Sequence, residues 1–428
     1  MDRARWGILA ACFCVVGFVG SVWYSFQVFF AALTREFGWT RAEGALGFSL
    51  FVMVYGLMSP FIGGLLDRFG PRRVMLIGAL LLASGFAASS QLTTLWQFYL
   101  YFGVLTSVGF GACGWMATVT VLQTWFKRRL ATATGIVSAG VGLGIQVLVP
   151  LEQRLIETFG WRQTYLLLAA ATLLVVVPLA FVMRRGPAAE PPQRPPAAAA
   201  PGPAPASPGQ PEATWTLRRA VGTRRFWLFW LALLLLSGSV QPLLAHQVVY
   251  MMDAGIQAFA AATVAGLIGL ASVPAKVAWG LIADRLGREV AYTLGLAWVG
   301  VAIGLLWLIS ERGWLWLPYA YALTMGVGYA VTAALPPIVA ADLYRGRSYG
   351  AIYGGLNVGS QLGTASAVWV AGAIFDLTGS YGPAFVLALL GAAGGGVCIW
   401  LVAPRQSYQR PAVSYRPAAA ETRHSGSR

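Results

Sequence analysis

The sequence predicts an all-α polytopic membrane protein with twelve transmembrane helices in two repeated halves of six. Three observations carry that prediction: the composition, the spacing of the apolar runs, and a motif that recurs at the same place in each half. Of 428 residues, 57% are hydrophobic and only 11% charged, with a mean hydropathy of +0.66. Soluble globular proteins carry about 25% charged residues. The deficit argues against a soluble enzyme and against a DNA-binding domain.

The runs long enough for the ~20 residues of a span come first at about 6–30, 44–66, 73–92, 95–124, 130–151 and 160–183. Six more follow at about 226–250, 257–282, 290–310, 314–338, 348–373 and 380–403. The first run continues past any signal-peptide length without an A-x-A cleavage site, so it reads as a span. Between the halves, Pro187 to Pro211 is dense in proline, alanine and glycine, a composition that cannot bury a core. The expected layout is a first bundle at 1–185, a cytoplasmic linker at 186–225, a second bundle at 226–404 and a tail at 405–428.

A net charge of +15 would suggest a nucleic-acid partner if the basic residues were clustered at random. They are not. Only Arg35, Arg41, Arg154, Arg162 and Arg312 fall in odd-numbered loops, and only Lys276 falls within a span. All the others lie in the termini and even-numbered loops, which is the positive-inside pattern. Both termini are therefore expected in the cytoplasm, with the protein multi-pass in the cell (inner) membrane and no nucleic acid bound. Cys12, Cys14, Cys113 and Cys398 sit in apolar runs, and the chain has two histidines, His246 and His424. That pattern suits neither a zinc site nor a disulfide framework, and no metal or cofactor is expected.

The repeated motif is G-x-x-x-D-R-x-G. It reads Gly63, Asp67, Arg68, Gly70 after the second span and Gly280, Asp284, Arg285, Gly287 after the eighth. Physically it suggests a tight glycine turn, with Asp and Arg tying neighbouring helix ends and the Asp facing a helix N-terminus. With the six-plus-six spans and long central loop, it resembles the loop signature of the major facilitator superfamily. The resemblance covers nearly the whole chain. It implies two pseudo-symmetric six-helix bundles around a central cavity, a substrate site near the midplane, alternating access, and a monomer in the lipid bilayer rather than an enzyme.

Polar residues inside spans are costly and point to function. None of the 15 acidic residues falls in the middle of a proposed span, and Glu152, Asp253, Asp342 and Asp376 stand at span ends. Lys276 is the single embedded cation. It either pairs with an anion or snorkels to the interface about 10 Å away along its helix. The stretches Tyr24-Ser25-Phe26-Gln27, Phe37-Gly38-Trp39-Thr40-Arg41, Phe159-Gly160-Trp161-Arg162 and Lys276-Val277-Ala278-Trp279-Gly280 resemble the oxalate:formate antiporter and monocarboxylate transporter branch. In that branch a span-eight cation four residues before the motif glycine pairs with the substrate carboxylate, and Lys276 holds that register where arginine is usual.

The resemblance also places Tyr24, Trp115, Tyr329 and Tyr353 at cavity aromatics. Each of the four has an interfacial-belt alternative. Gln146, Asn357 and Gln361 are polar within spans five and eleven, and suit either substrate or another helix. Three positions depart from the branch. Leu356 stands where the antiporter has a second cation, Ser272 stands where monocarboxylate transporters have an aspartate, and Gln27 is the only long polar side chain from Tyr24 to Phe30. One cation suits a monoanion. The expected partner is a small organic anion, most simply a short monocarboxylate such as lactate or pyruvate, with Lys276 and His246 as candidate proton-coupling groups. Symport, exchange and facilitated diffusion all stay open. The competing reading is an efflux carrier for neutral or lipophilic compounds in which Lys276 is structural. The glycines of Ser138–Gly144 and Gly354–Gly363 suggest close packing where the halves move against each other.

Overall fold

A computed structural model describes residues 2–126, 130–183, 215–312, 314, 316–344 and 349–402. The expected linker up to residue 214, the tail, and the side chains of Asp67 and Asp284 lie outside the described residues. The described chain is all helix. Eleven helices are long and apolar enough to cross a membrane. One of them, Leu130–Val182, has 53 residues, which at 1.5 Å per residue is about 80 Å, far more than the ~30 Å of hydrocarbon. It turns at Gly160, whose φ of 81° is in the left-handed region that favours glycine.

The contacts show that the turn is a reversal. Glu152 meets Ser25 before it, and Trp161, Tyr165 and Met183 meet Glu36, Phe29 and Cys12 after it. Twelve spans result. They are α1 (Asp2–Phe37), α2 (Arg41–Phe69), α3 (Pro71–Ser89), α4 (95–125), α5 (130–159), α6 (161–182), α7 (Arg224–Asp253), α8 (Ala258–Leu286), α9 (Arg288–Arg312), α10 (317–343), α11 (Tyr349–Thr378) and α12 (Gly382–Val402).

Several expectations change. α1, α2, α7 and α11 begin or end outside the apolar runs that announced them, because capping and packing extend a helix beyond its hydrophobic stretch. α5 continues through Glu152 to the Gly160 turn, so Glu152 is inside a helix that runs on past the apolar run. α4 is interrupted by a π-helical segment, Tyr99–Thr106, and by Gly114. A short helix, Leu217–Val221, capped by Thr216, occupies part of the stretch expected to be linker.

The loop motif closes in the same way in both halves. Gly70 (φ 79°, ψ 160°) and Gly287 (φ 112°, ψ 153°) make the turns, with the next helix starting at the following residue. The first motif glycines, Gly63 and Gly280, sit inside helices instead. Arg68 stacks over Phe69, and Arg285 is exposed.

Two apolar cores pack the molecule, one spanning the first half and part of the second, the other confined to the second half. The halves meet along α2–α11 and α5–α8. Ser49 donates to the Ala365 carbonyl, and Gln361 packs on Gly56. A Cβ on Gly142 would stand 2.6 Å from the Gly269 carbonyl oxygen, and Gly266 packs on Gln146. Other glycines of the two runs, Gly140, Gly144, Gly359 and Gly363, pack helices within one half instead. A Cβ added at Gly64, Gly135, Gly280 or Gly354 would find nothing within 4 Å.

Candidate functional site

Moving down from the Arg41 end, the two halves are joined by successive polar layers. In the first, Arg41 of α2 binds both carboxylate oxygens of Asp253 on α7, at 3.0 and 2.9 Å. Asp376 of α11 caps the start of the same helix. Deeper in, Gln247 of α7 donates to Gln27 of α1 at 2.8 Å and accepts from the Tyr321 hydroxyl of α10 at 2.8 Å. Gln27 and Gln247 are fully buried, and Gln27 Nε2 has no acceptor among the described residues.

One helical turn further along α1, the Tyr24 hydroxyl lies 3.4 Å from that of Tyr329 on α10, joining the halves again. Lys276 of α8 completes this layer. Its Nζ lies 5.7 Å from the centre of the Tyr329 ring, a cation–π contact. Ser272, one turn earlier on α8, is also a polar neighbour of Tyr329. Lys276 stands three residues beyond Val273, which touches Gly142 of the other half, so it is placed where the halves part.

No carboxylate of the described residues pairs with Lys276. The helix continues to Leu286, about 15 Å away along the axis, and the side chain turns onto Tyr329. The two hydroxyls share one hydrogen bond, and the ammonium has three donors. A carboxylate replacing the Tyr24–Tyr329 contact would therefore meet donors from both halves.

The other expected residues are placed differently. Gln146 is in the α5–α8 seam with its Oε1 buried and unpaired among the described residues, and Gln361 is in the α2–α11 seam. Asn357 is half-buried on α11. Tyr353 packs with the second core and lies near Tyr292. Trp115, just after the Gly114 break, is 38% exposed and makes no ring contact with the lysine layer. His246 is buried between halves, against the Phe30 ring. One ring nitrogen lies 2.9 Å from the Val368 carbonyl and the other 3.0 Å from the Tyr381 hydroxyl. A neutral imidazole donating to the first and accepting from the second satisfies both, which makes His246 a tie between α7, α11 and the start of α12.

Comparison with known proteins places the chain in a family. The sequence matches the Major Facilitator Superfamily profile over residues 12–335 and 248–424. The chain belongs to that superfamily. It is similar to monocarboxylate transporter 3 of Rattus norvegicus, 34% identical over 77% of this chain and 66% of that protein, just under two thirds of its length. It is also similar to monocarboxylate transporter 13 of Bos taurus, 29% identical over 92% of this chain and 89% of the relative. Monocarboxylate transporter 11 of Homo sapiens is 28% identical over 90% of this chain and 79% of its own. Among solved structures, a bacterial homologue of the human lysosomal transporter Spinster, inward-facing and unoccupied, superposes with a TM-score of 0.68. It has 14% identity and covers 94% of this chain and 96% of its own. That likeness shows the fold. The protein is a multi-pass transporter of the superfamily, not an enzyme.

Within this major facilitator chain, sequence reasoning missed Gln247, Tyr321, the Arg41–Asp253–Asp376 group and the buried pair Ser25–Glu152. Their partners are 74 to 335 residues apart, and no local pattern announces such pairs. Glu152 was legible only as a lone acid beside Gln153 and Arg154, which looked like the polar end of a span.

Proposed function

We propose that this transporter carries small organic monoanions, short monocarboxylates of the lactate and pyruvate type foremost, by alternating access of its two halves. The observation that carries the reading is Lys276, a cation without a carboxylate partner among the described residues where the halves part, lying on the ring of Tyr329 and beside the Tyr24–Tyr329 contact. Lys276 is half-buried, a partly desolvated charge gains from a counter-ion, and a substrate carboxylate supplies one. With leucine at position 356, one ammonium faces one carboxylate. The names of the relatives agree with this substrate class.

The positive-inside distribution puts the termini and the Gly70 end in the cytoplasm. On this reading the Gly70 end faces the cytoplasm, and the Arg41 layer joins the halves at the outer face. Substrate enters from the cytoplasmic end and binds Lys276. The halves then rock about the seams to open the Arg41 end.

The test is uptake of radiolabelled lactate and pyruvate into proteoliposomes by wild type and Lys276→Gln. Uptake by wild type and its loss in the variant is the expected result. Equal transport by both would remove Lys276 from the site and favour the efflux reading for neutral compounds.

A further inference from the structure

We propose that Glu152 of α5 is a proton-binding site of the transport cycle, held by Ser25 of α1. The proposal rests on the anion-transport reading above and supplies the proton partner that Lys276 alone does not identify.

Glu152 is 1% exposed. Its Oε1 accepts from the Ser25 hydroxyl at 2.8 Å, while Oε2 is buried with no partner among the described residues. From α6, Tyr165 lies in electrostatic reach of the carboxyl, and its own buried hydroxyl is also without a partner among the described residues. The Tyr165 ring is fixed by stacking on Phe29 of α1, with centroids 3.9 Å apart. On α5 itself the neighbouring polar groups turn away. Gln153 bonds Glu157, and Arg154 pairs with Glu157 and covers Phe259 of α8. Ser25 is thus the contribution of α1 and Tyr165 that of α6, and no Lys, Arg or His of the described residues pairs with the acid.

A carboxyl without a counter-charge in such a place changes its surroundings when it gains or loses a proton, because the charged form must be solvated or paired. Here the chain provides a lever. Ser25 follows Tyr24, the residue that bridges to Tyr329 of the other half. A movement of α1 that breaks the Tyr24–Tyr329 contact also moves the one donor on Glu152. A proton taken from water on one side forms the O–H bond at Oε2, and the same bond breaks to water on the other side. With the substrate anion neutralised by Lys276, one anion and one proton move together.

The experiment uses the full chain. Infrared difference spectra taken between alkaline and acid pH should contain the C=O stretch of a protonated buried carboxylic acid, absent from Glu152→Gln. That variant keeps shape and an acceptor for Ser25. Ser25→Ala should retain the band but shift the pH at which it appears. In proteoliposomes Glu152→Gln should keep lactate counterflow without a pH gradient and lose gradient-driven accumulation. A wild-type spectrum lacking the band, or gradient-driven accumulation by Glu152→Gln equal to wild type, overturns the proposal. If the band titrates while wild type moves no monocarboxylate, the proton site stands and the substrate assignment fails. The spectroscopic and transport arms therefore separate the two readings.

Discussion

The Asp376 carboxylate at the end of α11 accepts the backbone N–H of Arg41, the first residue of α2, at 2.8 Å. Its other oxygen takes the next N–H, that of Ala42, at 2.7 Å. The third N–H, of Glu43, is taken by Thr40 in a capping box. The free donors at this helix start are thus shared between its own half and the opposite one. An acid facing the positive end of a helix dipole is worth about 0.3–1 kcal/mol at an exposed position such as Asp376, and here that stabilisation exists only while the halves touch at the Arg41 end.

Replacing Asp376 by alanine should therefore favour opening of that end. A loss of up to about 1 kcal/mol shifts the open-to-closed ratio by up to roughly fivefold. Distance measurements between spin labels on the ends of α2 and α11 should show the wider population grow. An unchanged distribution would mean that other layers dominate closure. Asp253→Asn should act in the same direction, because it removes the charge that meets the Arg41 guanidinium.

Tyr24→Phe and Tyr329→Phe remove the same cross-half hydroxyl contact from opposite sides. Each should weaken substrate binding, by about 1 kcal/mol for a neutral hydrogen bond, and read as a several-fold rise in half-saturation. Tyr329→Leu should cost more than Tyr329→Phe, because it also removes the ring under Lys276. Equal effects of the two substitutions would show that the cation–π contact contributes nothing to the site.

His246→Ala should lower thermal stability by roughly 1–3 kcal/mol, since it leaves the Val368 carbonyl and the Tyr381 hydroxyl buried without their partner. The pH profile of transport should keep its shape. A flattened profile in a variant that folds would return His246 to the proton pathway.

Gly160→Ala should destabilise the first half by about 1 kcal/mol or more, because alanine is strained at φ 81°. The same substitution at Gly135, inside a helix with nothing within 4 Å of an added Cβ, should be neutral or slightly stabilising. Melting temperatures of the two variants test the contrast directly.

Much of the architecture was legible because a span is a local property. Twenty apolar residues, a basic loop and a duplicated turn motif can be read without knowing what packs on what. Lys276 stood out for the same reason, as a lone cation in an apolar run. Glu152 did not, because Gln153 and Arg154 beside it mimic a span end. The helix continues past them to a turn pinned from outside, where Trp161 and Arg162 bind Glu36 of α1 and Arg162 also reaches the Leu92 carbonyl. Tyr353 and Trp115 show the opposite limit. Aromatic identity and register alone do not say which face of a helix meets the cavity.

By itself, the sequence determined the membrane, the twelve spans, the two-fold repeat and the one embedded cation, since each follows from composition or periodicity along the chain. Only the tertiary structure decided that Lys276 lies over Tyr329, that Asp376 caps α2, and that Glu152 is buried against Ser25. Those relationships depend on rotation of helices about their own axes and on contacts across hundreds of residues. They are set by packing between helices rather than by any pattern within one.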